Sequence, residues 1–308
     1  VCFDTLCYVS PYGLGVLVDE NGDVFAANTT FRDYNLMSEL NKWYDEGLID
    51  PNWLTYSDMT TEGCNTNYYN DMYGYIALAT SDCATESGVL DAEGASWIPL
   101  IDPVLQEDQT LHVGGSGSRL YYGGASISAT CENIPLAVTW CDWRYSDTGA
   151  DLMSWGVEGH AWELNENGER QVTEFIYKNP QGFNMTMLML VYCCNTLCDP
   201  GLDINSVHYT FPGGENVIEA YDYLNENNNN DGAFDFPTAI SLTAEQQGEI
   251  MNYSGDVMTY IQENYLSFLD GSKPLSEWDS YEAQLYEIGL GDILAVYQNA
   301  YDEYKAEA

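Results

Sequence analysis

Apolar and polar residues alternate through residues 12–27, YGLGVLVDENGDVFAA, around a polar centre at DENGD. That period of two, interrupted by Asn21-Gly22, predicts a β-hairpin with its turn at those two residues. The period lengthens in residues 30–46, where Leu36, Leu40 and Trp43 recur four and three apart. This spacing predicts an amphipathic helix with those three residues on one face. Gly47 ends it, and Leu48-Ile49-Asp50-Pro51 leads out. Residues 72–80, MYGYIALAT, read as a short apolar strand that stops at Ser81-Asp82. Residues 97–104, WIPLIDPV, are extended and punctuated by proline. The densest run of glycine, GGSGSRLYYGG at 114–124, reads as a flexible crossover or hinge strand leading to 125–130.

The stretch that organises the chain is 140–168, WCDWRYSDTGADLMSWGVEGHAWELNENG. Asn133 and Pro135 open a helix, proline being tolerated in a first turn. Leu136, Trp140 and Trp143 share one of its faces, and the two tryptophans read as core. Asp147 and Thr148 are placed to cap a short helix over 149–155. Gly156 and Gly159 allow a tight reversal, around which Trp155, Glu158, His160 and Trp162 crowd. Residues 163–168, ELNENG, form a polar turn. Residues 175–192 hold a Met-rich apolar run, 193–211 are loop-like, and NENNNNDG at 225–232 reads as an exposed loop. Thr243-x-x-Gln246 is a capping box that opens a helix to about Leu269, with Ile250, Val257, Ile261 and Phe268 in one stripe. Ser276-x-x-Asp279 caps the next helix, Gly289 closes it, and a last helix runs from about Asp292 to Tyr304. Strands alternating with helices predict an α/β fold.

Charge narrows the choice of partners. Lys and Arg number 8 against 49 Asp and Glu in 308 residues, a net charge of −41. Such a field repels nucleic acid and anionic lipid. Disorder is not the consequence, because 45% of residues are hydrophobic and 14% aromatic. Tyr (25) far outnumbers Phe (9), and amphipathic rings suit polar ligands such as sugars as well as any wet interface.

The remaining chemistry is mostly excluded. Asp19, Asn21 and Asp23 have calcium-loop spacing but lack the following glycine and the distal glutamate, so they read as a turn. The nine cysteines, Cys2, Cys7, Cys64, Cys83, Cys131, Cys141, Cys193, Cys194 and Cys198, show no zinc spacing, and read as buried thiols. No metal and no cofactor are expected. The glycine run lacks the lysine of a phosphate cradle, and neither G-x-S-x-G nor H-E-x-x-H occurs. No run is apolar enough to span a bilayer, and the start at VCFDTLCYVS reads as mid-protein, without a signal peptide.

Four stretches, in order, carry a resemblance. They are LNKWYDEGLIDP (40–51), ENIPLAVTWCDWRYSDTGADLMSWGVEGHAWELNENG (132–168), DVMTYIQENYLSFLDGSKPLSEWDSYEAQLYEIGL (256–290) and ILAVYQNAYDEY (293–304). With these the chain resembles the C-terminal portion of an extracellular solute-binding protein of an ABC importer, of the carbohydrate-type family of Gram-positive bacteria. The resemblance implies an α/β, two-lobed, periplasmic-binding-protein-like fold of type II, here partial, with the first part of the N-terminal lobe absent. It implies residues 1–110 mainly in the C-terminal lobe, 111–155 as crossover and remaining N-terminal lobe, and 156–308 mainly C-terminal lobe with the C-terminal helices.

The same resemblance implies a non-enzymatic role, delivery of an oligosaccharide to the importer's permease subunits, from the cell surface and with a lipid anchor in the intact protein. Sugar rings offer apolar faces to aromatic side chains and polar rims to carboxylates and amides. The ligand residues it implies are Ser81 and Asp82 at a strand end, Arg119 and Tyr121 on one crossover, and Trp155, Glu158 and His160 at the other. Packing is the alternative reading for each of them. Two rival functions stay open: a glycoside hydrolase, which needs two carboxyls about 5–9.5 Å apart, and a structural or surface-assembly module on the same fold.

Overall fold

The computed structural model describes residues 14–52, 72–75, 98–101, 107–114, 125–178, 185–193, 201–202, 207, 210, 214–227 and 230–307. The chain divides into two compact units. One comprises Val1–Thr55, Ile101–Ser118 and Asn228–Ala308, the other Tyr56–Leu100 and Arg119–Asn227. Residues 1–110 and 156–308 each contribute to both units, and 119–155 fall in the second alone.

In the first unit, β1 (Val16–Val18) pairs antiparallel with β2 (Val24–Ala26) in the register Val16↔Ala26, Leu17↔Phe25 and Val18↔Val24. The turn lies at Asn21-Gly22, as the alternation predicts. The Asp19 carboxylate accepts from the backbone N–H of Asn21 at 2.8 Å and of Asp23 at 2.9 Å. The backbone N–H of Asp23, above all, holds that carboxyl below its ordinary pKa. The D-x-N-x-D pattern thus closes a turn.

Helix α1 (Phe31–Asp45) starts at Thr30, whose hydroxyl accepts from the backbone N–H of Asp33 at 3.2 Å. Its buried face is only partly the one predicted. Asp33 and Met37 are the buried residues; of the predicted three, Leu40 packs half-buried against the core, while Leu36 and Trp43 are half-buried away from it. One turn further on, Asn41 Nδ2 donates to the carbonyls of Phe268 at 3.0 Å and Leu269 at 3.2 Å. The face carries polar residues with structural tasks, which hydrophobic spacing cannot register.

The C-terminal helices match the sequence closely. The Thr243/Gln246 capping box opens a helix at Ala244–Leu269, which buries Val257, Ile261, Tyr265 and Phe268. Ser276 does not cap the next helix. It lies in a 3-10 turn, Leu275–Glu277, and the helix Trp278–Glu287 begins without a side-chain cap. The last helix spans Leu290–Glu307. Trp278, Tyr281, Leu285, Leu290 and Ile293 close the core against Met37 and Ala26.

The second unit contains α2 (Ile134–Trp143) and α3 (Asp147–Trp155). Asn133 Oδ1 accepts from the Leu136 N–H at 3.1 Å, and Pro135 sits in the first turn of α2 as expected. The cap of α3 is Ser146, not Asp147 or Thr148; its hydroxyl accepts from the Gly149 N–H at 3.1 Å. Trp140 and Trp143, read as core, are instead exposed, at 60% and 40%. Two short strands, β3 (Trp162–Leu164) and β4 (Arg170–Val172), form an antiparallel hairpin on the ELNENG turn. They are followed by α4 (Glu174–Tyr177), α5 (Met185–Tyr192) and α6 (Gly214–Asn227).

The Met-rich run is therefore helical, and Asn225–Asn227 end a helix rather than lie in a loop. Of residues 72–80 only 72–75 are described, and these four belong to no strand. The core of this unit is Trp155, Ala161, Trp162, Val172, Ile176, Leu188, Met189, Cys193 and Val207. No helix among the described residues is long and apolar enough to cross a membrane.

Candidate functional site

The reversal at Gly156–His160 is built from the end of α3. Gly156 has φ 75° and ψ −149°, a conformation open in practice to glycine alone. A Cβ there would sit 2.8 Å from the Tyr192 carbonyl oxygen, 2.9 Å from Ala161 Cβ and 3.0 Å from Cys193 Sγ. The backbone therefore passes directly against α5. Gly159, at φ 75°, has nothing within 4 Å of its Cβ position. Its N–H donates to the Trp162 carbonyl at 2.7 Å, and the His160 N–H donates to the Val157 carbonyl at 3.1 Å.

Beneath the reversal lies a tryptophan pair. Trp155 and Trp162 meet edge to face at 6.2 Å, and Trp162 Nε1 donates to the Gly156 carbonyl at 3.3 Å. The Arg170 guanidinium lies over Trp162 at 4.3 Å and over Trp155 at 5.5 Å. Asp151 engages that guanidinium with both oxygens, Nη2 to Oδ2 at 3.3 Å. Trp155 is 6% exposed, with an arginine over one ring and tryptophan against it. It is packed as core and has no free face.

Above the reversal the surface differs. Val157, Glu158, Gly159 and His160 are exposed. The His160 ring lies 4.8 Å from Phe175 and 4.8 Å from Tyr192, and those two meet edge to face at 5.3 Å. The Thr173 hydroxyl donates to the His160 carbonyl at 2.7 Å, fixing the backbone that carries the imidazole. The result is a three-ring aromatic surface with a carboxylate two residues away in sequence. Such a surface can meet a ligand having apolar faces and hydroxyl rims.

Of the residues singled out from sequence, Trp155, Glu158 and His160 fall in this one region, the first buried and the other two exposed. Ser81, Asp82, Arg119 and Tyr121 lie outside the described residues. Phe175 and Tyr192 were missed. Their only signal was an aromatic after a polar hairpin and a polar-tipped aromatic ending an apolar helix. Among the described residues no group of three or more His, Cys, Asp or Glu could hold a metal ion.

No protein-family model matches the chain. It is 24% identical over 199 residues to the fructooligosaccharide ABC transporter substrate-binding protein FusA of Streptococcus pneumoniae, covering 58% of this chain and 34% of that protein. Among solved structures it is similar to the alginate-binding protein AlgQ2, with TM-score 0.71, 19% identity, and coverage of 97% of this chain and 59% of that one. A solute-binding protein from Bifidobacterium longum subsp. infantis matches with TM-score 0.66 and 21% identity, over 94% of this chain and 57% of its own. The chain thus spans about a third of its curated relative and under two thirds of these structures. The likeness shows the fold: the α/β architecture of ABC-importer solute-binding proteins.

Proposed function

We propose that the intact protein is the extracellular solute-binding component of an ABC importer and that it holds an oligosaccharide. The observation that carries this is the aromatic cluster of exposed His160 and Tyr192 with half-buried Phe175, on the W-G-x-E-G reversal that also carries the exposed Glu158. The names of similar proteins support the ligand class. FusA is named for fructooligosaccharide, AlgQ2 for alginate, and a further Bifidobacterium longum infantis neighbour for HMO binding. Glu158 accepts sugar hydroxyls, and the rings meet a sugar face. Trp155 acts from beneath, by holding the reversal in shape. Ser81, Asp82, Arg119 and Tyr121 complete the ligand contacts. The permease subunits of the importer are the protein partner, and a lipid anchor holds the intact protein at the cell surface. With a net charge of −41, a neutral oligosaccharide is favoured over a polyuronate, which the field would repel.

Titration calorimetry of the full-length protein against neutral and uronic-acid oligosaccharides tests this. The expected result is saturable binding of a neutral sugar, weakened by roughly 1–3 kcal/mol in Tyr192→Ala, as for a ligand-contact hot spot. Trp155→Ala should instead cost about 3–5 kcal/mol of stability, as a core truncation does. No binding across the panel, or Tyr192→Ala binding as tightly as its parent, would remove this reading. Steady release of reducing ends would replace it with a hydrolase.

A further inference from the structure

Arg170 sits on β4 two residues before Val172, the cross-strand partner of Trp162. Residues two apart on a strand share a face. Arg170 and Trp162 are therefore diagonal neighbours on one face of the hairpin, within reach for a long side chain. The guanidinium lies over Trp162 at 4.3 Å and over Trp155 at 5.5 Å, and both oxygens of Asp151 engage it. Asp151 belongs to α3, four residues before Trp155 and so on the same face. This one side chain thus joins the strand pair that follows the Gly156–His160 reversal to the helix that precedes it. The reversal is tied to the same two arms. The Gly156 N–H donates to the Leu152 carbonyl of α3 at 2.9 Å, and the Gly159 N–H to the Trp162 carbonyl at 2.7 Å. Trp162 Nε1 donates to the Gly156 carbonyl at 3.3 Å, a long bond. The last two both depend on where Trp162 stands, and Arg170 is stacked on Trp162.

We propose that Arg170 is a positioning residue of the candidate site. Its guanidinium, stacked on Trp162 and Trp155 and forked onto Asp151, holds the Gly156–His160 reversal, and with it Glu158 and His160, in the shape that meets the ligand. The ligand half of this statement rests on the oligosaccharide reading above. The geometry calls for a planar guanidinium. That group stacks on indole rings while presenting paired N–H donors to a carboxylate, whereas a lysine ammonium is a compact point charge that does one or the other. The role is local. The side chains of Arg170 and Asp151 are 36% and 42% exposed, and a bare ion pair so exposed adds little to global stability. Loss of the clamp is therefore felt at the reversal before it is felt in the fold. Asp151 also balances the arginine's charge, so the clamp shapes the site without adding a net charge to it.

The test uses the full-length protein with Arg170→Met, Arg170→Lys and Asp151→Asn. Amide hydrogen exchange is followed at Gly159, in the reversal, and at Cys193, whose N–H donates to the Met189 carbonyl in the same core. The expected result is Gly159 exchange at least tenfold faster in Arg170→Met and Arg170→Lys alike, and several-fold faster in Asp151→Asn. Cys193 exchange should stay within about twofold of the parent throughout. Titration calorimetry runs in parallel with a panel of neutral oligosaccharides as probes. The sugar that saturates the parent should bind at least tenfold more weakly to Arg170→Met, with the melting temperature little changed. Unchanged Gly159 exchange in Arg170→Met overturns the proposal, and so does parent-like behaviour of Arg170→Lys. Gly159 and Cys193 accelerating together would make Arg170 a merely structural residue and overturn it equally. Faster Gly159 exchange with undiminished affinity overturns the ligand role. A parent that binds no sugar of the panel removes the oligosaccharide reading instead, and the exchange ratio still decides whether Arg170 holds the reversal. If Arg170→Met does not fold, Asp151→Asn carries the same comparison.

Discussion

Two residues show how close the packing is at single positions. At Gly156 an added methyl would meet backbone, a methyl and a sulfur at 3.0 Å or less, in a conformation closed to L residues. Gly156→Ala should therefore destabilise by about 2–4 kcal/mol, combining backbone strain with overpacking. Gly159→Ala, at the same φ in open space, should cost roughly 1–2 kcal/mol. Thermal melts of the two variants check the ranking; equal losses would mean that contact with α5 contributes nothing. Asp33 is the second case. It is 1% exposed, and burial pushes its carboxyl well above the ordinary range. Its Oδ2 has no hydrogen-bond partner among the described residues. A raised native pKa means that the folded chain keeps a proton the unfolded chain releases. This contribution to stability is complete below pH ~4 and is lost as pH rises through the native value. Asp33→Asn cannot ionise. Relative to its parent, it should gain melting temperature as pH rises above ~4, and parallel curves would show that Asp33 is not the titrating group.

At the scale of elements, legibility tracked how local the signal was. The Thr243/Gln246 capping box and the Asn21-Gly22 turn are decided by a few neighbouring residues, and both formed where the sequence placed them. The face of α1 matches only at Leu40, because its inward residues also include Asp33 and Asn41, and Asn41 serves the end of a helix more than two hundred residues away. Ser276 has the spacing of a cap, but Pro274 leads into a 3-10 turn that occupies the position. For α2 the spacing of Leu136, Trp140 and Trp143 correctly gave a helix and a shared face. Burial of that face depends on what lies opposite, which no local pattern contains. The candidate site divides in the same way. The glycine reversal was legible from W-G-x-E-G, whereas His160, Phe175 and Tyr192 come from three separate segments that only the fold brings together.

At the scale of the whole molecule, charge dominates. Eight basic residues cannot pair with 49 acidic ones, and among the described residues the ion pairs lie mostly at the surface. Lys42–Glu39 at 3.6 Å and Lys178–Glu174 at 3.0 Å are solvent-screened helix pairs that offset little of the repulsion. Most carboxylates therefore repel one another, and compaction brings them closer than the unfolded chain would. Raising ionic strength from about 0.01 to 0.15 M shortens the screening length from roughly 30 to 8 Å, less than the typical spacing of remote surface charges. The melting temperature should accordingly rise across that range of sodium chloride and flatten above it. A buried carboxyl is screened far less than these surface groups. The gap between Asp33→Asn and its parent at neutral pH should stay nearly constant while both curves climb together. A melting temperature indifferent to salt would place the acids too far apart to repel. A gap that closes with salt would move the Asp33 effect from burial to the surface field.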